Sequence, residues 1–175
     1  MSGSKPKNIV LTGFMGTGKT EVGRALSLLL GCRHVDVDEE IVKSEGMSIR
    51  QIFNRFGEPF FRDIETEKIR EFAKKEHVII STGGGAVLRQ ENLEILRENA
   101  VVVTLSATPE TILQRTTNSD KRPLLQVEDP LRRIRELLDY RTSLYQKADI
   151  VINTESKTPR EIAVEILERI GWKKG

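Results

Sequence analysis

Of 175 residues only one, Cys32, is a cysteine. A single thiol excludes an internal disulfide and fits a reducing compartment, so a cytoplasmic location is expected. Cys32 follows Gly31 in a predicted turn and carries no assigned role. No apolar run approaches the ~20 residues of a membrane span, and the opening MSGSKPK lacks the apolar centre of a signal peptide. No membrane association is expected. Excess charge is missing too: 28 Lys and Arg against 26 Asp and Glu leave +2. That is too little to point to nucleic acid as a partner, although basic residues gather between Arg115 and Arg141. The two histidines, His34 and His77, each open a predicted strand and have no metal-ligating neighbours at suitable spacing. There is no internal repeat or low-complexity linker. With 38% hydrophobic and 31% charged residues, the chain reads as one soluble globular domain over residues 1–175. It is expected to be a monomer.

What is present begins with LTGFMGTGKT at residues 11–20. The apolar, mostly β-branched run Ile9-Val10-Leu11 reads as a strand buried on both faces. After the glycines, Val22, Leu26, Leu29 and Leu30 recur at helical spacing. A G-x-x-x-x-G-K-[ST] pattern between strand and helix is a phosphate-binding loop. Gly13, Gly16 and Gly18 allow close approach of the backbone to an anion, with Thr17 inside the turn. Consecutive N–H groups and the positive helix end then converge on phosphate. Lys19 brings a mobile charge to the β- and γ-phosphates, and the Thr20 hydroxyl is placed to ligate Mg²⁺. The chain is expected to bind a nucleoside triphosphate.

Further strands are predicted at 34–37, 77–81, 100–105 and 149–152. Helical periodicity marks 48–56, 59–75, 92–98, 109–116 and 130–147, and a last helix begins at Pro159 behind Thr158 as cap. Strands alternating with helices imply a three-layer α/β/α fold around a five-stranded parallel sheet. Ligands in such folds lie at the carboxyl ends of the strands.

Each strand end was read in turn. Val35-Asp36-Val37-Asp38 puts two carboxylates on one side of a strand. Near Mg²⁺, one would hold the metal through water and the other would accept a hydroxyl proton or orient the nucleophile. Alternatively, one of them caps the helix beginning at Glu39. Gly83-Gly84-Gly85 suggests a second close approach of backbone to ligand. The acidic residue that usually closes this strand in P-loop ATPases is absent, which leaves Asp36 as the candidate metal support. On the helix from Pro59, Phe61, Ile64, Ile69 and Phe72 form an apolar arc that includes Glu65, with Arg62 at its edge. Three apart, Arg62 and Glu65 are helix neighbours and able to pair. Arg141 stands in the middle of the apolar stripe of the helix from Pro130. Inward arginines are either structural ion pairs or a clamp for an anionic second substrate, whose carboxylate the arginine fork holds with two parallel bonds. The polar stretch TNSDKRPLLQVED at 117–129 is either a lid carrying Arg122 to the transferring group or a solvated basic loop.

Taken together, GFMGTGKT, DVD at 36–38, GEPFFRDIE at 57–65, the TGGG ending at Gly85, RPLL from Arg122 and RTSLY from Arg141 resemble the shikimate kinase family. These are P-loop kinases of the nucleoside monophosphate kinase fold, and the motifs stand in family order along nearly the whole chain. The resemblance implies ATP-dependent phosphorylation of the 3-hydroxyl of shikimate, with Mg²⁺, on the route to chorismate and aromatic amino acids. It implies Asp38, Arg62, Arg141 and Gly84, the last within the Gly83–Gly85 turn, as shikimate contacts, with Arg62 and Arg141 on the carboxylate. Glu65 matches the acid that positions the substrate arginine. Lys19 and Arg122 match the phosphate-contacting pair, Thr20 the Mg²⁺ ligand with Asp36 beside it, and Arg115 a nucleotide-side arginine. Lys157 stands where the family often has an arginine in the adenine-side loop. Asp38 is the candidate base. A lid around 116–127 and a substrate-binding helical region around 38–65 follow from the same likeness. A gluconate-type kinase would share the P-loop without the paired arginines. A switch GTPase would need Asn-Lys-x-Asp and Asp-x-x-Gly, and neither occurs.

Overall fold

The computed structural model describes residues 7–117, 125 and 127–172. Five strands, β1 (Asn8–Thr12), β2 (Arg33–Asp36), β3 (Val78–Ser81), β4 (Ala100–Ser106) and β5 (Ile150–Asn153), form one parallel sheet in the order β2-β3-β1-β4-β5. The helices are α1 (Lys19–Leu30), α2 (Val37–Glu45), α3 (Ile49–Ala73), α4 (Gln90–Arg97), α5 (Pro109–Thr116), α6 (Pro130–Tyr145) and α7 (Pro159–Arg169).

Alternation along β1 explains why the sheet is covered on both sides. Val10 enters a core with Phe14, Phe61, Ile69, Phe72, Ile134 and Leu137, from α3 and α6. Ile9 and Leu11 enter a second core with Val22, Leu26, Ile162 and Ile166, from α1 and α7. Side chains of period two on a strand must face opposite layers, so both layers must be apolar. β1 is central, with β3 on one side and β4 on the other. Its carboxyl end is the switch point at which such sheets open a crevice. The phosphate loop follows directly from there.

Two expectations need correction. β2 ends at Asp36, and Val37 and Asp38 already belong to α2, so the two carboxylates do not lie along one strand. Asp36 is the cap of α2: its Oδ1 accepts from the N–H groups of Asp38 (3.1 Å) and Glu39 (3.3 Å). Capping ends the strand because it satisfies donors the new helix would leave open. Second, the glycine turn leads into a short 3-10 turn, Ala86–Leu88, which no periodicity announced. The two helical stretches expected at 48–56 and 59–75 are borne out: α3 is two helices joined across a kink at Gly57, whose φ of 84° and ψ of 170° are closed to helix and easily reached only by glycine. Among the described residues no helix is long and apolar enough to cross a membrane.

Candidate active site

On the phosphate side, the turn between β1 and α1 is shaped by glycine. A Cβ on Gly13, where φ is 133°, would lie 2.3 Å from the Leu105 carbonyl oxygen. Gly18 precedes α1 with φ 94° and leaves the first helical N–H groups uncapped by any side chain. Those groups and the helix dipole therefore face the turn. Lys19 folds back, its Nζ donating to the carbonyls of Gly13 (2.8 Å) and Phe14 (2.9 Å). The Thr17 hydroxyl also donates to the Phe14 carbonyl, at 2.7 Å. The Thr20 hydroxyl donates to Asp36 Oδ2 at 2.9 Å. Asp36 thus serves two ends, capping α2 with one oxygen and meeting the phosphate loop with the other.

A hydroxyl beside a carboxylate at the mouth of a phosphate loop is a hard-oxygen donor set that suits Mg²⁺. Among the described residues there is no group of three or more His, Cys, Asp or Glu able to hold a metal alone. Mg²⁺ at Thr20 and Asp36 would depend on ligand phosphates and water, as that ion commonly does.

Arg115 ties the loop to the end of β5. It donates to the Gly16 carbonyl at 3.3 Å and to the Thr154 hydroxyl and carbonyl at 3.0 and 3.3 Å. Lys157 is paired to α7, its Nζ donating to Glu165 Oε2 at 2.6 Å. Arg122, with 118–124, lies outside the described residues.

The acceptor side is built of buried charge. Arg62 is 9% exposed, Glu65 0% and Arg141 5%. Arg62 Nη1 donates to Glu65 Oε2 at 2.6 Å, the pairing that the three-residue spacing anticipates. Glu65 Oε1 and Arg141 Nε have no hydrogen-bond partner among the described residues. The Arg141 guanidinium lies 5.8 Å from the centroid of the Phe14 ring. Its neighbour Tyr145 donates its hydroxyl to the Gly84 carbonyl at 2.6 Å, which pins the glycine turn to α6.

The glycines are required by what they touch. A Cβ on Gly85 would fall 2.2 Å from Arg62 Nη2, so the guanidinium lies against bare backbone. A Cβ on Gly83 would fall 2.8 Å from Asp38 Oδ1 and 2.9 Å from Glu65 Oε1. A Cβ on Gly84 would come within 3.3 Å of the Met15 amide nitrogen. Gly83–Gly85 therefore form a floor on which Asp38, Glu65, Arg62 and the phosphate loop converge.

Burial pushes the Glu65 carboxyl up to about 7; Arg62 opposes the shift, and the charge of Asp38 adds to it. Burial works against the charge of Arg62 as well, but Glu65 and Glu58 together hold its pKa above the ordinary value. A buried ion pair is a poor source of stability, since apolar residues of similar volume often do as well or better by about 1–4 kcal/mol. This pair is better explained by the cation it presents to the cleft.

Phe14, Tyr145 and Glu58 escaped the sequence reading. Phe14 occupies a variable place in the loop pattern, and Tyr145 falls in the apolar stripe of the helix from Pro130. Only Glu58, inside a quoted motif one turn before Arg62, carried a signal: i,i+4 spacing to an arginine.

Comparison with known proteins gives the family. The family model described as shikimate kinase matches residues 15–171. The chain is 51% identical over 162 residues to a shikimate kinase of Thermodesulfovibrio yellowstonii, covering 93% of this chain and 94% of that protein. It is 42% identical over 171 residues to one of Deinococcus radiodurans, covering 97% and 87%. Among solved structures, the shikimate kinase of Acinetobacter baumannii in complex with shikimate superposes with a TM-score of 0.91 at 42% identity, over 95% of this chain and 93% of that one. A gluconokinase of Sinorhizobium meliloti, TM-score 0.61 at 18% identity over 97% and 94%, shares the fold. The chain belongs to the shikimate kinase family.

Proposed function

We propose that this member of the shikimate kinase family transfers the γ-phosphoryl group of ATP to the 3-hydroxyl of shikimate with a division of labour between the two halves of its cleft. The observation that carries this reading is the pair of buried arginines, Arg62 against the glycine floor and Arg141 beside Phe14 of the phosphate loop. Their forks hold the carboxylate of the acceptor, and Glu65 keeps Arg62 in place. Gly83–Gly85 let the ring approach the backbone, and Asp38 beside Gly83 receives or orients the reacting hydroxyl.

On the other half, the Gly13–Thr20 backbone cradles the phosphates. Lys19 leaves the Gly13 and Phe14 carbonyls for the β- and γ-oxygens. Thr20 and Asp36 would hold Mg²⁺, which supplies charge neutralisation on the transferring group when bound. Arg115 fixes the nucleotide-side wall, and Arg122 is assigned to the phosphates from the motif alone. Lys157 would reach the adenine side only after releasing Glu165. Little covalent work is asked of the protein; positioning and electrostatics do most of it. A cytoplasmic location and a monomeric state belong to the same reading; the lid expected around 116–127 falls mostly on residues outside those described.

A coupled assay for ADP release tests it, with shikimate, gluconate and nucleoside monophosphates as rival acceptors. Turnover is expected with shikimate and at most a trace with the others. Preferred turnover of gluconate would move the chain's activity elsewhere within the fold.

A further inference from the structure

Arg62 has five N–H donors, and the structure accounts for three of them. Nη1 donates to Glu65 Oε2 at 2.6 Å, while Nε and Nη2 both donate to Glu58 Oε1, at 3.2 and 3.0 Å. One N–H therefore remains on each terminal nitrogen, and two terminal N–H groups are what a carboxylate takes in a forked pair. The two acids differ sharply. Glu65 is fully buried, whereas the Glu58 side chain is 54% exposed. Glu58 stands where it does because the helix breaks at Gly57 and restarts, which puts it in the first turn, one turn before Arg62. An acid at that end is also favoured by the helix dipole. Gly85 closes the remaining face of the guanidinium.

We propose that Glu58 is a positioning residue for the acceptor: it holds the Nε–Nη2 edge of Arg62 so that the remaining pair of N–H groups faces the incoming carboxylate. The inference rests on Arg62 being the carboxylate clamp. An arginine tied at one nitrogen only, through Glu65, would still swing about its terminal bonds. Tied at all three nitrogens by the two acids, it is presented with its orientation already fixed, so less freedom is lost on binding. Glu58 touches neither substrate, and its effect should travel only through Arg62.

The test is steady-state kinetics on Glu58→Ala, Glu58→Gln, Arg62→Ala and the double variant Glu58→Ala/Arg62→Ala. Glu58→Ala is expected to raise KM for shikimate about three- to tenfold, the modest size reflecting an exposed partner. KM for ATP and kcat should stay within about twofold. Glu58→Gln keeps an acceptor oxygen and is expected to restore most of the loss, because orientation and not charge is at stake. In the Arg62→Ala background, Glu58→Ala should have no further effect.

A fall in KM for shikimate in Glu58→Ala would make Glu58 a competitor for the fork and overturn the inference. So would no change, equal losses for both substrates, a Gln variant as impaired as Ala, or a further loss in the double variant. If Arg62→Ala itself leaves shikimate KM unchanged, the clamp fails and the inference falls with it. If Arg62→Ala is severe and Glu58→Ala silent, only the inference fails.

Discussion

On the phosphate side of the cleft, the groups that meet a ligand are mostly backbone, and the Lys19 ammonium rests on carbonyls of its own loop. On the acceptor side they are side chains taken out of water: Arg62, Glu65 and Arg141, each less than a tenth exposed. A backbone cradle binds any phosphate chain, since N–H groups in a turn read charge and curvature alone. A buried arginine fixed by a carboxylate and set against glycine, as Arg62 is, has little freedom to follow a differently shaped anion, because moving it leaves unpaired charge in the core. The two halves thus divide chemistry from choice, and each perturbation below should hurt one half and spare the other.

The largest effect is expected at Lys19. Lys19→Ala should lower turnover by about 10²–10³-fold, the scale for losing one preorganised charge at a developing anion. Its melting temperature should be nearly unchanged, because the ammonium is not in the core; rapid-quench kinetics and a thermal scan read both. Normal turnover in the folded variant would remove the phosphate loop from the mechanism.

Next comes Arg141→Ala. Loss of a charge-assisted contact worth about 1.5–3 kcal/mol corresponds to shikimate binding weaker by roughly 10- to 10²-fold. Binding of ATP should hardly move, and calorimetry with each ligand compares the two directly. Equal weakening would mean that Arg141 supports the fold.

Gly85→Ala sharpens the contrast without touching a charge. Its new methyl would fall 2.2 Å from Arg62 Nη2, so the guanidinium must shift. We expect shikimate KM to rise by about tenfold with ATP KM unchanged, on the scale of a misplaced charged hydrogen bond. A kinetically silent Gly85→Ala would show that the floor has slack.

The smallest effect concerns pH and the unliganded protein. The folded-state pKa of Glu65 is raised from 4.5 to about 7 by burial. The native state therefore holds a proton that the unfolded chain has released, and this favours folding below about 4.5. The contribution is lost as pH rises through about 7. Relative to Glu65→Gln, wild type should lose stability between these limits and run parallel above them, as urea melts at a series of pH values would show. A constant difference across that range would mean that Glu65 titrates like an exposed acid.

The two halves also differed in how legible they were. Consecutive residues spell the phosphate loop, so Gly13 to Thr20 could be placed from spacing alone, as could β1, β3 and β4, which are largely apolar runs. Arg62 and Glu65 were visible as charges misplaced on an apolar arc, and i,i+3 spacing gave their pairing. Arg141 was visible as a misplaced charge, but its neighbours Phe14 and Tyr145 come from distant segments that no periodicity joins. Asp36 and Asp38 misled because strand alternation was extended past Asp36, where capping of α2 had already taken over. Lys157 sits on Glu165, eight residues away and on the next helix, a contact that loop sequence does not encode.

The central claim is that Arg62 and its surroundings choose the acceptor by its carboxylate. The most direct measurement is calorimetric titration of shikimate, and of its analogue with the carboxylate reduced to a hydroxymethyl group, into wild type and Arg62→Ala. The account predicts that wild type prefers the carboxylate by roughly tenfold or more and that Arg62→Ala loses most of that preference while binding ATP normally. An undiminished preference in folded Arg62→Ala would contradict it.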